Sequence, residues 1–75
     1  NGQTVMELVA ADRPGLLSKV GRTFLAQEID IAAAKIMTIG ERAEDVFYIC
    51  RRDGSPLDTE AQTRLREGIV ATLET

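Results

Sequence analysis

Four residues near the N-terminus, Asp12-Arg13-Pro14-Gly15, separate a stretch with strand patterning from one with helical patterning. Before the break, Thr4–Ala10 (TVMELVA) is mostly apolar, β-branched at its start and too short for a helix, so a strand is predicted there. Its faces read Met6, Leu8, Ala10 and Val5, Glu7, Val9. Both are largely apolar, which implies that the second face of the sheet is partly covered as well. After the break, Leu16, Leu17, Val20, Phe24 and Leu25 recur at three-and-four spacing, with Ser18, Lys19, Arg22 and Thr23 on the wet side. Pro suits the first helical turn, where its missing N–H goes unused anyway. Asp12, just ahead, is expected to accept hydrogen bonds from the free amides. Gly21 falls on or beside the buried stripe and is expected to allow close approach to the sheet. The helix is expected to fade near Gln27-Glu28.

Ile29–Ile39 (IDIAAAKIMTI) reads as a long strand that ends in a hairpin turn at Gly40-Glu41-Arg42. Ala43–Arg52 is its partner, centred on Val46–Cys50, and Asp53-Gly54-Ser55-Pro56 is a dense turn signal. Asp58 or Thr59 then caps a second helix; Thr59 with Gln62 matches a capping box. Its apolar residues are Ala61, Leu65, Ile69, Val70 and Leu73. The order β-α-β-β-α predicts an α+β fold, a ferredoxin-like βαββαβ unit without its last strand. In that topology both helices pack on one face of an antiparallel sheet. The absent strand would flank the first one, so an open edge is expected there. Such an edge invites pairing with another chain or a neighbouring domain, and association is expected.

With 75 residues the chain is a single domain. A domain this small buries only about 60% of the surface its unfolded chain exposes, so a partner or neighbouring domain is expected to cover more. The chain reads as a piece of something longer, with residues 1–3 a linker remnant and residues 4–75 the domain. No apolar run approaches the roughly 18 residues that would suggest a membrane span, so no membrane partner is expected. The net charge of −3 repels phosphate backbones and argues against nucleic acid. Cys50 stands alone in an apolar run and reads as a small buried hydrophobe in a reducing, cytoplasmic setting. The chain has no His, which removes the commonest general base and metal ligand. No P-loop, GxGxxG, CxxC or nucleophile–base pair appears, so no catalytic residue, metal site or cofactor is expected.

The break before the first helix carries the best candidate site. The first free amides of a helix point outward with partial positive charge, which suits a carboxylate. Pro14 has no donor, which leaves the N–H groups of Gly15, Leu16 and Leu17. Gly15 also lets a ligand meet backbone rather than a Cβ. Asp12 is placed to accept the ammonium of an amino acid lying in the same notch. Asp30, opening the second strand, is a further acceptor, and the two together bracket a zwitterion, across two subunits if need be. On spacing alone the bland alternatives stay open: the loop merely starts a helix, and Asp30 is a solvated strand edge. No third ligand makes this pair a metal site. Gly40–Asp45 reads as a solvated hairpin tip, and Arg51-Arg52-Asp53 as a solvated strand end. Phe47 and Tyr48 are adjacent and point to opposite faces, so they form no paired stacking platform for RNA bases.

Asp12-Arg13-Pro14-Gly15-Leu16-Leu17, followed by Glu28-Ile29-Asp30-Ile31-Ala32, resembles the ACT domain family, whose members carry a D/N-R/K-P-G-L-L loop and an apolar-N/D-I start to the second strand. The resemblance spans Thr4 to Leu73. The run T-x-G-E-R-x-E-D-x-F from Thr38 to Phe47 is similar to ACT domains at the C-terminus of bacterial nucleotidyltransferases that modify the nitrogen-signalling protein PII. It implies a regulatory domain that senses glutamine, with Asp12, Arg13, Pro14, Gly15, Leu16, Leu17 and Asp30 as the ligand notch. It also implies pairing with another ACT domain, a link to PII through the parent enzyme, and a chain end soon after the second helix. Several relatives have Asn where this chain has Asp12 or Asp30. Two readings remain beside it: a dimerisation module that binds nothing small, and an ACT domain of another regulator or amino-acid biosynthetic enzyme.

Overall fold

The computed structural model describes residues 3–74; residues 1–2 of the expected linker remnant at 1–3, and Thr75 of the expected domain at 4–75, lie outside them. The elements are β1 (Thr4–Ala11), α1 (Leu16–Ala26), β2 (Ile29–Ile39), β3 (Arg42–Arg51) and α2 (Thr59–Leu73). The sheet is antiparallel with the order β1-β3-β2, so β3 is the central strand. No fourth strand is present among the described residues, and one edge of β1 is unpaired. The architecture is the predicted ferredoxin-like βαββα.

One face of β3 presents Ala43, Asp45, Phe47 and Ile49, all buried. Against it pack Leu16, Val20 and Phe24 of α1 and Ala61, Leu65 and Ile69 of α2, with Leu8 and Leu57 closing the sides. Phe24 and Phe47 meet edge to face, ring centroids 5.3 Å apart and planes inclined at 72°. That geometry sets the positive rim of one ring against the negative face of the other. Both helices therefore share one face. The other face is uncovered within this chain, with Val5 and Val9 exposed, so the apolar pattern there finds no partner among the chain's own residues.

Strand β2 carries a bulge: Ile31 pairs with Ile49 and Ala33 with Tyr48, leaving Ala32 as the extra residue. The bulge resets the alternation. Beyond it, Ile36 stands opposite Asp45 and Thr38 opposite Ala43, while Lys35 turns to the solvent side. Gly40 opens the two-residue hairpin turn with φ 63°, a backbone region that Gly adopts without a Cβ clash.

Several local expectations change. Asp12 does not cap α1. The N-cap is Gly15 at φ 83° and ψ 2°, with no side-chain cap bond, and the Leu16 N–H donates to the Arg13 carbonyl at 3.1 Å. Those angles belong to the second central residue of a type II turn, with Pro14 at the first. The turn pre-empts the cap, and the Asp12 N–H instead donates to the Glu41 carbonyl at 2.9 Å. Leu17 and Leu25 lie off the buried stripe and are exposed, as is Val70 of α2. A Cβ on Gly21 would meet nothing within 4 Å; the close approach is at Gly68, where a Cβ would lie 2.6 Å from Gln27 Nε2 and 3.1 Å from Thr23 Cγ2. The tight contact is thus helix to helix. The Gln27 amide spans it by donating to the Arg64 carbonyl at 3.0 Å. At α2 the cap is Asp58, whose Oδ1 accepts the Ala61 N–H at 2.8 Å; Gln62 donates to the Leu57 carbonyl rather than closing a capping box.

Phe24→Ala removes a ring from the centre of this packing and is expected to cost about 3–5 kcal/mol in denaturant unfolding. Leu25→Ala, one residue on, is 67% exposed and should change stability by no more than about 0.5 kcal/mol. Asp12→Ala should likewise stay within about 0.5 kcal/mol, because no cap is lost; a loss of 1 kcal/mol or more, the usual cost of a lost cap, would contradict the Gly15 assignment. The Asp58 carboxyl is held below its ordinary value of 3.8, chiefly by the Ala61 N–H that it accepts. A depressed carboxyl contributes stability above its unfolded value and loses it as pH falls through the folded one. The melting temperature should therefore drop below pH ~4, and drop less steeply in Asp58→Asn.

Candidate functional site

The turn that denies Asp12 its capping role shapes the notch at the start of α1. Gly15 carries the chain through a left-handed conformation, so its own backbone faces open space, with nothing within 4 Å of a Cβ built there. Leu16 is N1 of the helix and is satisfied by Arg13. The amides of Gly15, Leu17 and Ser18 make no backbone bond among the described residues, and the first intrahelical bond closes from Lys19 to the Gly15 carbonyl at 3.0 Å. Three N–H groups at the positive end of an 11-residue helix are thus available to an acceptor. Leu16, one of the three expected donors, is not among them; Ser18 takes its place.

The walls of this notch come from three elements. Asp12, Arg13, Gly15, Leu16, Leu17 and Ser18 supply one side, Ile36 and Thr38 of β2 another, and Ala43 and Asp45 of β3 the floor. The space is about 250 Å³, just below the roughly 300–1,000 Å³ typical of small-molecule sites. Of the predicted residues, the structure brings Asp12, Arg13, Gly15, Leu16 and Leu17 together. Pro14 shapes the turn without lining the space. Asp30 lies apart, at the opposite end of the sheet, pairing in register with Cys50 and sitting 4.0 Å from Arg52 Nε. Within one chain it does not reach the notch.

Sequence reasoning missed Asp45. The run from Gly40 to Asp45 reads as a solvated tip, yet Asp45 is 2% exposed and sits on the core face between Ala43 and Phe47. Its Oδ1 accepts the Met37 N–H at 3.3 Å, and its Oδ2 is buried without a hydrogen-bond partner. The signal that would have found it is the period of two: counting back from Ile49 and Phe47 places Asp45 inward. The tip itself is solvated as expected, with Arg42 and Glu44 paired at 2.6 Å on the surface. At the far end of the hairpin, Arg51 pairs with Asp58 at 3.1 Å, and the Asp53 carboxylate accepts both the N–H and the hydroxyl of Ser55. Those two bonds from Ser55 hold the Asp53 carboxyl below its ordinary value.

Among the described residues no group of three or more His, Cys, Asp or Glu is placed to hold a metal ion, and no helix is long and apolar enough to cross a membrane.

The family model for the ACT domain matches residues 4–67. The bifunctional uridylyltransferase/uridylyl-removing enzyme of Vibrio campbellii is 55% identical over 71 residues, and that of Photobacterium profundum 49% identical over 71. The enzyme of the same name from Pseudomonas entomophila is 49% identical over 72 residues. In each case the alignment covers 95% of this chain and 8% of the relative. The chain thus spans a small part of the length of the curated relatives that it matches. With the β-α-β-β-α order, the central third strand and the Asp-Arg-Pro-Gly turn all in place, this chain belongs to the ACT domain family.

Proposed function

We propose that this chain is a regulatory ACT domain of a bifunctional uridylyltransferase/uridylyl-removing enzyme, and that it binds a free amino acid, glutamine, at the notch before α1. The observation that carries the reading is the set of unpaired amides of Gly15, Leu17 and Ser18 opening onto a space of amino-acid size. They are the natural seat for an α-carboxylate. Arg13 and Asp12 stand at the rim to steer charge, and Leu17 and Ile36 give the side chain apolar walls. Glutamine as the ligand rests on the resemblance to nitrogen-regulating relatives, as does PII as the protein on which the parent enzyme acts. The chain supplies regulation, and the chemistry belongs to other parts of that enzyme, in the cytoplasm.

Asp30 enters the site from a second ACT domain. Its distance from the notch within one chain, the unpaired edge of β1 and the exposed Val5 and Val9 all favour an arrangement in which two such domains pair. Ligand bound at such a junction favours one domain arrangement over another. Coupling of this kind is typically worth about 1–3 kcal/mol, or roughly 5–150-fold at a distant site. A module that only dimerises is the second reading, favoured by the same open edge.

Calorimetric titration with L-glutamine, L-glutamate and L-serine tests the proposal. Saturable binding selective for glutamine, abolished by Gly15→Val, is the expected result. That variant places a β-branched side chain at φ 83°, a strain of about 1–2 kcal/mol, so its fold is checked by circular dichroism. Association without any saturable heat would favour the dimerisation reading.

A further inference from the structure

We infer that Asp45 is the ammonium-binding residue of the notch, so that the site reads an α-amino acid by both of its charges. The inference rests on the amino-acid-binding reading and goes further by assigning the second charge. Asp45 is the one charged side chain in the core among the described residues. A buried carboxylate normally collects donors for both oxygens, because a dry, unpaired oxygen is among the costliest groups in a protein interior. Here Oδ1 has the Met37 N–H and Oδ2 has nothing. The neighbours in register, Leu8 on β1 and Ile36 on β2, are apolar and offer no donor.

The placement explains the vacancy. Asp45 forms the floor of the space whose opposite wall is the N-terminus of α1. The unpaired amides of Gly15, Leu17 and Ser18, with their partial positive charge, thus share one space with the Asp45 carboxyl group. This arrangement complements a zwitterion: carboxylate to the helix, ammonium to Asp45. An ammonium brings three donors, and Thr38, which lines the same space from β2, carries a hydroxyl able to accept one of them. A metal ion is a poorer match, since no cluster of three ligating side chains exists among the described residues. Oδ2 is sealed from water, so the ligand reaches it by displacing rim side chains. Leu17 and Ile36 are about half exposed at that rim and have the freedom to move. Asp12 stays outside, exposed at the mouth.

The test is a pair of titrations on the protein at full length, with L-glutamine and with glutaramic acid, the same molecule without its amino group. The wild type should prefer glutamine by about 10-fold or more, the weight of one hydrogen bond to a charged group. Asp45→Asn keeps an acceptor for the Met37 N–H and removes the charge. It should weaken glutamine by a similar factor while leaving glutaramic acid unchanged or tighter. If wild type binds both ligands equally, or the variant keeps the full preference for glutamine, the assignment of Asp45 is overturned while amino-acid binding stands. If neither ligand binds the wild type, the functional reading falls and this inference with it. Equal affinity of the wild type for the two ligands overturns the assignment even if the variant fails to fold.

Discussion

The edge-to-face contact of Phe24 with Phe47 is the joint on which the rest of the domain is hung. Phe47 belongs to the central strand, which pairs with both β1 and β2. Phe24 lies two helical turns beyond Leu16. Fixing that one ring pair fixes the height of α1 along the sheet, and so the place where the helix begins. Leu16 consequently comes down beside Ala43 and Asp45, and the free amides of the first turn open over the same two residues of β3. The position of the notch is a result of core packing at the other end of the helix.

Two backbone devices finish the site. The type II turn at Arg13-Pro14-Gly15-Leu16 consumes the first amide of the helix and leaves the next two exposed. The bulge at Ala32 shifts β2 by one residue, which brings Ile36 and Thr38 to the notch and sends Lys35 outward. Without the bulge, Lys35 would occupy the face of Asp45 and could neutralise it. The open carboxylate of Asp45 thus depends on a single extra residue, Ala32, on the neighbouring strand.

Most of the fold is legible in the sequence because its signals are local. The long apolar run of β2, the Gly40 hairpin and the three-and-four spacing of α1 each mark their element directly. What is not legible depends on partners. Asp12 has the right identity for a cap, but Pro14 and Gly15 close a turn first, and two local preferences cannot both be met. Gly21 and Gly68 look alike in sequence; only the crossing of α1 over α2 decides which one faces a neighbour. Leu17 and Leu25 fit the helical stripe, yet α2 and the sheet together cover too narrow an arc to bury them. Asp45 was hidden by its company, since Glu41, Arg42 and Glu44 make the whole run look solvated. Of the notch, Asp12, Arg13, Gly15, Leu16 and Leu17 were readable from the motif, whereas Ser18, Thr38 and Asp45 required the fold.

In the proposed complex, one small space holds an amino acid between a helix N-terminus and a buried carboxyl group. An amide-resolved NMR titration with L-glutamine reads that arrangement residue by residue. The largest shifts are expected at the N–H groups of Gly15, Leu17 and Ser18, with a second group at Met37 and Asp45. Shifts confined to the unpaired edge of β1 and the facing side of α2, with the first turn of α1 unmoved, would contradict it.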